Sequence, residues 1–174
     1  DCVHSLNLKQ LLRNAGHDVC FYAMSYSQNI VCEENKYFAE EISFSAKDLQ
    51  GKIKAASRII WGIGVVQNFK KLLEEFQPDV VHLNNIHSYL SPIVAKLAYQ
   101  RGVKVIWTLH DYKLICPSYS CLCKGNTCEA CFTDKKHVVL RKCMKNSFPA
   151  SILAWGEAMN WNKNKLSLWT NSFI

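Results

Sequence analysis

Residues 78–116, PDVVHLNNIHSYLSPIVAKLAYQRGVKVIWTLHDYKLIC, decide the fold. The segment 80–83 is short and mostly apolar, which is typical of a strand buried on both faces. Apolar residues recur at helical spacing over 91–100, and residues 103–109 are again β-branched and aromatic. The stretch therefore predicts two parallel strands joined by a right-handed helical crossover.

Polar side chains lie at the ends of both predicted strands. His82 lies near the end of the first strand, and Asn84, Asn85 and His87 follow it; His110 and Asp111 follow the second strand. Open α/β sheets bind their ligands at the carboxyl ends of parallel strands, so we expect the two loops to share one ligand-binding edge. Imidazole changes its charge near neutral pH, and an amide both donates and accepts hydrogen bonds.

The sequences PDVVHLNNIHSYLSP (residues 78–92) and VKVIWTLHDYKLICP (residues 103–117) resemble the amino-terminal domain of glycosyltransferase family 4. Members of that family have the two-domain GT-B fold, and their turn into the second strand is similar to GHDV at residues 16–19. The resemblance implies an α/β fold with a Rossmann-like, doubly wound parallel sheet. It also implies that this chain is the acceptor-side domain of a transferase.

The resemblance implies an activity as well. A sugar would pass from a nucleotide-sugar donor to a saccharide or lipid-linked acceptor, with retention of anomeric configuration, in the synthesis of a cell-surface polysaccharide. Catalysis would need no cofactor, so any zinc would be structural. We expect a cytoplasmic protein at the inner face of the membrane.

Site residues follow from the same match and from residue chemistry. The resemblance implies that His110, next to the acid Asp111, faces the cleft beside the transferred sugar, so these two are the candidate catalytic residues. The candidate substrate contacts rest on residue chemistry, since amides, imidazoles and an aromatic ring suit a sugar; they are Asn84, Asn85, His87, Tyr89 and His82. The residue types also have structural interpretations, because asparagine suits turns and caps and a histidine can cap a strand end. His82 lies inside the strand pattern, so a core histidine is its alternative role.

The length of 174 residues is typical of one domain, so we expect residues 1–174 to form a single Rossmann-like domain. A Cys-rich insertion is expected at about 116–143. The first predicted helix, over 5–14, would follow a first strand in a doubly wound domain. That strand and the family's donor-binding carboxy-terminal domain are not in this chain. The sequence therefore predicts an incomplete domain, inactive alone.

Further elements are predicted more weakly along the chain. They are strands over 18–24, 41–44 and 166–170, and a helical region over 47–77 that Gly62 and Gly64 interrupt.

Six of the nine cysteines fall within residues 116–143. The two-residue gap between Cys128 and Cys131 lets both thiolates bind one zinc ion, and Cys116 and Cys143 lie on either side as further ligands. Structural zinc is the interpretation we favour, and unmetallated thiols and disulfide or redox use are the others. The odd total does not fit a complete disulfide framework. Family members with a similar insertion also carry cysteines there, which supports a structural role.

The net charge of +7 comes from 21 basic and 14 acidic residues. A basic carboxy-terminal third is typical of a solvated surface, or of one that meets an anionic membrane or a phosphate-bearing acceptor. Nucleic acid is not an expected partner, since no DNA- or RNA-binding signature is present. The alternative to a transferase is a non-catalytic binding module with a structural zinc or Cys cluster. A redox or metal-handling protein is a third class.

Overall fold

The computed structural model describes residues 2–43 and 48–174. It divides the chain into two compact units, one made of Asp1–His110 and Ser172–Ile174 and the other of Asp111–Asn171. The predicted Cys-rich insertion lies inside the second unit. The sequence predicts that residues 1–174 form a single domain. That the two units together make up this domain stays a prediction.

Helices and short strands make up both units. The first contains α1 (Cys2–Asn14), a 3-10 helix (Glu33–Tyr37), α2 (Leu49–Trp61), α3 (Val66–Phe76), β1 (Val80–Leu83), α4 (Ile93–Gln100) and β2 (Lys104–Trp107). The second contains β3 (Leu122–Cys123), β4 (Asn126–Thr127), α5 (Ala130–Thr133), α6 (His137–Leu140), α7 (Phe148–Asn160) and α8 (Lys163–Trp169), after which β5 (Ser172–Phe173) belongs to the first unit again.

A three-stranded parallel sheet organises the first unit in the order β1-β2-β5. The register pairs His82 with Ile106 and Leu83 with Trp107, so β1 and β2 end side by side. Helix α4 connects them, as the sequence predicts. The α/β, Rossmann-like fold class is therefore confirmed.

The core of the first unit forms where helices cover this sheet. Helix α3 is amphipathic and buries Phe69, Leu72 and Leu73, while α4 buries residues of its own apolar face such as Ala95. Trp107, the last residue of β2, is only 1% exposed. Burial of each of these side chains contributes about 1.5–3 kcal/mol to the stability of the fold. This packing fixes the positions of the ends of β1 and β2.

The predicted interruption of the 47–77 helical region is confirmed. Helix α2 ends at Gly62, whose φ of 68° is left-handed, and α3 begins after Val65. A Cβ at position 62 would lie 2.4 Å from Ile93 Cγ2. Glycine is therefore required here both by the backbone and by contact with α4.

We expect Gly62→Ala to lower the free energy of unfolding by about 2–4 kcal/mol, because overpacking adds to left-handed backbone strain. The matched control is Gly16→Ala, since Gly16 also has a positive φ of 85° but nothing lies within 4 Å of an added Cβ. Urea unfolding of both variants checks the difference. Equal losses would show that the Ile93 contact costs nothing.

Two predicted strands are wrong. Residues 18–24 form no ladder within the described ranges, where their only pairing is the isolated parallel bridge between Met24 and Ala39. Residues 166–170 lie largely in α8, which Asn162 caps by accepting a hydrogen bond from Lys165 N at 3.1 Å. The predicted strand at 41–44 forms no strand over 41–43, and its last residue lies outside the described residues.

The second unit has a small buried polar centre. Lys113 Nζ lies 2.8 Å from Glu157 Oε2 and donates to Pro117 O at 2.9 Å. The two charged side chains are 6% and 3% exposed. This ion pair joins the start of the unit to α7. Across the described part of the chain, no helix has the length and apolar character to cross a bilayer.

Candidate functional site

The carboxyl ends of β1 and β2 carry a contact between two predicted site residues. His110 Nε2 lies 3.0 Å from Asn84 Oδ1, and this contact is exposed to solvent. The backbone positions it, because Thr108 N donates to Leu83 O at 2.9 Å and Leu109 N donates to Ile174 O at 2.8 Å. Both loops therefore leave the parallel sheet at the same edge, where such sheets bind ligands.

Two further histidines lie beside this contact. The His4 and His110 rings meet edge to face, with centroids 5.5 Å apart. His82 is half-buried in β1, and its Nε2 lies 2.7 Å from Thr108 Oγ1. Burial lowers the pKa of His82 below its ordinary value of 6.5, and the positive charges of His4 and His110 act in the same direction. Three imidazoles thus share one edge of the first unit.

The lowered pKa makes stability depend on pH. The unfolded state binds a proton at His82 more readily than the folded state does, so the free energy of unfolding should fall as the pH drops through 6.5. We expect His82→Gln to reduce this fall between about pH 7.5 and about pH 5.5, although it lowers stability at neutral pH by losing the Thr108 bond. Thermal unfolding at both pH values checks it. An unchanged pH dependence would remove His82 as its source.

His4 is the site residue that sequence reasoning missed. The sequence predicts a helix over 5–14, whereas α1 begins at Cys2, which puts His4 in its first turn. A usable signal was present, since a helix that follows a strand in an α/β sheet starts at the ligand-binding edge.

The remaining loop residues have different surroundings. The His87 ring lies over the indole of buried Trp107, with centroids 5.2 Å apart. Asn85 is exposed and the Tyr89 side chain is 44% exposed, as a stacking face for a sugar would require. The structure thus joins His110 to Asn84 and places His87 against the core.

A buried arginine, Arg58, fixes the position of the loop at residues 84–90. Arg58 is 0% exposed, and its guanidinium donates to the carbonyl oxygens of Ile63, Glu40 and Tyr89 at 2.6, 3.1 and 3.0 Å. Burial lowers the pKa of Arg58, but the group stays charged because its ordinary pKa is 12.5. Arg58 is therefore a positioning residue for the 84–90 loop.

Asp111 belongs to the second unit. Its Oδ1 accepts a hydrogen bond from Lys113 N at 2.8 Å, which closes an Asx turn. The contact gives Asp111 a local structural role, and its predicted catalytic role stays a prediction.

Hydrogen bonds within the Cys-rich segment join thiols to other polar side chains. Cys116 Sγ lies 3.1 Å from Ser118 Oγ, and Cys128 Sγ accepts from Arg141 Nη1 at 3.3 Å. No three His, Cys, Asp or Glu residues within 2–43 and 48–174 form a group that could hold a metal ion. The predicted ligands Cys116, Cys128, Cys131 and Cys143 thus do not form a metal-binding arrangement in this geometry.

The thiols differ in acidity. Burial raises the pKa of Cys131 to about 11, and burial together with the Cys123 hydrogen bond raises that of Cys143 to about 12. For Cys116 burial also acts upward, but hydrogen bonds from Ser118 and Cys121 hold its pKa below the ordinary value. Since zinc needs thiolates, binding to Cys131 and Cys143 would have to displace their protons.

The structural-zinc hypothesis stays a prediction. It requires four sulfurs at ~2.3 Å from one ion, and a site of that kind contributes to folding stability. The hypothesis requires purified protein to hold about one zinc per chain and a chelator to lower its melting temperature. Metal content well below one per chain would contradict the hypothesis and favour free thiols.

The fold and the polar edge define the class of protein, a Rossmann-like α/β domain with a candidate ligand site at the carboxyl ends of its strands. The family model Glycosyltransferase Family 4 matches residues 3–126, which is more than half of the chain. The chain therefore belongs to glycosyltransferase family 4.

A Methanosarcina acetivorans protein described as an uncharacterized glycosyltransferase is 37% identical over 101 residues. The matched region covers 53% of this chain and 26% of that protein, so the chain spans about a quarter of its relative's length. No solved structure matches the chain.

Proposed function

We propose that the protein transfers a sugar from a nucleotide-sugar donor to a saccharide or lipid-linked acceptor, with retention of anomeric configuration, in cell-surface polysaccharide synthesis. The observation that carries this proposal is the contact of His110 with Asn84 at the carboxyl edge of the sheet, in a chain of glycosyltransferase family 4. Asn85 and the exposed Tyr89 ring lie on the same loop and supply further contacts for sugar hydroxyls.

The His110–Asn84 hydrogen bond determines which groups the imidazole can offer to a substrate. In the tautomer with its proton on Nε2, His110 donates to Asn84 Oδ1, and the lone pair of the neutral ring is on Nδ1. A sugar hydroxyl could then donate to Nδ1. The protonated ring would instead stabilise the negative charge that develops on a departing phosphate. In either state Asn84 fixes the orientation of the ring.

The release of nucleoside diphosphate from a panel of nucleotide-sugars tests the proposal on the intact protein, with a cell-envelope extract as acceptor. We expect one donor to be consumed, and consumption to fall in Asn84→Ala but not in Lys71→Ala, which removes an exposed ion pair with Glu75 on helix α3. A folded intact protein that consumes none of the donors would favour a non-catalytic binding module.

The second unit motivates a proposal about location. It carries nine basic and four acidic residues, a net charge of +5, and it exposes large apolar side chains such as Leu140, Phe148 and Leu168. Basic surfaces with exposed apolar residues bind anionic membranes. We propose a cytoplasmic protein that makes peripheral contact with the inner face of the membrane, where a lipid-linked acceptor lies. Salt-sensitive sedimentation with phosphatidylglycerol vesicles is expected, and its absence would contradict this contact.

A further inference from the structure

The second unit contains a cavity of about 380 Å³ between the β3–β4 hairpin and the end of α6. This volume lies within the usual range of small-ligand pockets, about 300–1,000 Å³. Its lining residues are Cys123, Lys124, Arg141, Lys142, Cys143 and Asn146. Three of these are cationic and none is acidic, so the cavity presents positive charge without an internal counter-ion.

The hairpin places Lys124 at the edge of this cavity. Cys123 pairs with Asn126, which leaves a two-residue turn of Lys124 and Gly125 with φ values of 52° and 83°. Two left-handed residues are characteristic of a type I′ turn, where the first position usually holds asparagine, aspartate or glycine. A lysine here therefore costs backbone strain.

The end of α6 places Lys142 on the other side. Lys142 N donates to Val139 O at 3.1 Å and Cys143 N donates to Val138 O at 3.0 Å, the hydrogen bonds of a Schellman motif. Lys142 holds the left-handed position of this motif, with a φ of 52°, where glycine is usual. Two cations thus stand at strained positions on the same cavity, as is frequent at ligand sites.

The side chains are arranged to receive an anion. Arg141 Nη1 lies 3.3 Å from Cys128 Sγ, a contact that orients the guanidinium and uses one of its five N–H donors. Both lysine side chains are exposed, and within residues 2–43 and 48–174 neither ammonium makes an ion pair. Two ammonium groups beside an oriented guanidinium form a suitable set of donors for a phosphate group.

We propose that this cavity binds a phosphate or diphosphate group. The site goes beyond the proposed sugar transfer and does not depend on it, since it lies wholly in the second unit and its occupancy can be measured without donor or acceptor. Its ligand is either a free phosphate compound or the phosphate headgroup of a lipid, and both present the same oxygens to Lys124, Arg141 and Lys142.

Isothermal titration with inorganic diphosphate at low ionic strength tests the site. Lys124→Gln/Lys142→Gln should weaken binding at least about tenfold, because two charged donors are lost. The matched control Lys163→Gln/Lys165→Gln removes the same charge from helix α8, outside the lining, and should change affinity less than about twofold. Arg141→Lys keeps the positive charge but loses the planar, forked donors of the guanidinium. It should weaken diphosphate binding more than the Lys163→Gln/Lys165→Gln control does.

Vesicles identify the source of the phosphate. Binding of inorganic diphosphate without a preference for phosphatidic acid over phosphatidylglycerol at equal surface charge assigns the site to a free phosphate compound. A preference for phosphatidic acid that the Lys124→Gln/Lys142→Gln variant loses and the control keeps assigns it to a lipid headgroup. Neither result bears on whether the protein transfers sugar.

The proposal is overturned if neither probe binds, or if both double variants lose the same affinity. The second outcome would mean that diffuse charge, rather than the cavity, attracts phosphate. All of the substituted lysines are exposed, so the variants should fold. Circular dichroism confirms that before titration.

Discussion

Replacing Lys113 by methionine should lower the free energy of unfolding by about 3–5 kcal/mol. Lys113 and Glu157 are almost fully buried, and their charged atoms lie 2.8 Å apart. Removing the ammonium leaves a carboxylate buried without its counter-ion, and also leaves Pro117 O without the hydrogen bond from Lys113. Urea unfolding followed by tryptophan fluorescence measures the loss, since α7 and α8 carry tryptophans.

Two comparisons separate this effect from a general effect of removing a lysine. Lys54 forms an exposed ion pair with Glu40, with side chains 53% and 70% exposed, so Lys54→Met should cost less than about 1 kcal/mol. The double variant Lys113→Met/Glu157→Leu should recover much of the stability, because apolar side chains of similar volume can replace a buried pair. A Lys113→Met protein as stable as Lys54→Met would contradict the burial argument.

In the intact protein, the proposed transfer predicts that His110→Ala lowers kcat by about a hundredfold or more while changing acceptor affinity far less. His110 lies at the ligand-binding edge, exposed and oriented by Asn84. A group there meets the reacting centre most strongly as charge develops in the transition state, so its removal affects the rate constant. Steady-state kinetics over a range of acceptor concentrations separates kcat from KM.

The matched control is His17→Ala, which removes an exposed histidine after α1 and should leave turnover unchanged. Asn84→Ala should cause a smaller loss than His110→Ala, since Asn84 acts by orienting the imidazole. Thermal unfolding accompanies both measurements. If His110→Ala turned over normally and lost stability, the imidazole at position 110 would be structural, and the catalytic assignment would have to be abandoned.

The sequence predicted the strand–helix–strand unit because its signals are local. Apolar periodicity, the glycine interruption at Gly62 and the polar strand ends all act within a few residues, and the structure follows them. The segment 166–170 failed because LSLWT alternates over too few residues to distinguish a strand from a helix. The decisive signal was Asn162, which caps α8 from four residues upstream of the segment.

Contacts between distant residues could not be predicted in the same way. His4 and His110 are separated by most of the first unit in sequence, and only the packing of α1 brings their rings together. The cysteine spacing similarly allows many pairings, and the contact of Cys128 with Arg141 depends on turns that spacing does not specify. The edge of the site was therefore predictable, while its full composition was not.

The most direct test of the central claim follows a radiolabelled sugar from nucleotide-sugar donor to product in the intact protein. We expect the label to move into the saccharide or lipid-linked acceptor with the anomeric configuration of the donor. His110→Ala should nearly abolish this movement, while His17→Ala should not. Label that stays in the donor, or that appears only as free sugar, would contradict glycosyl transfer at this edge of the sheet.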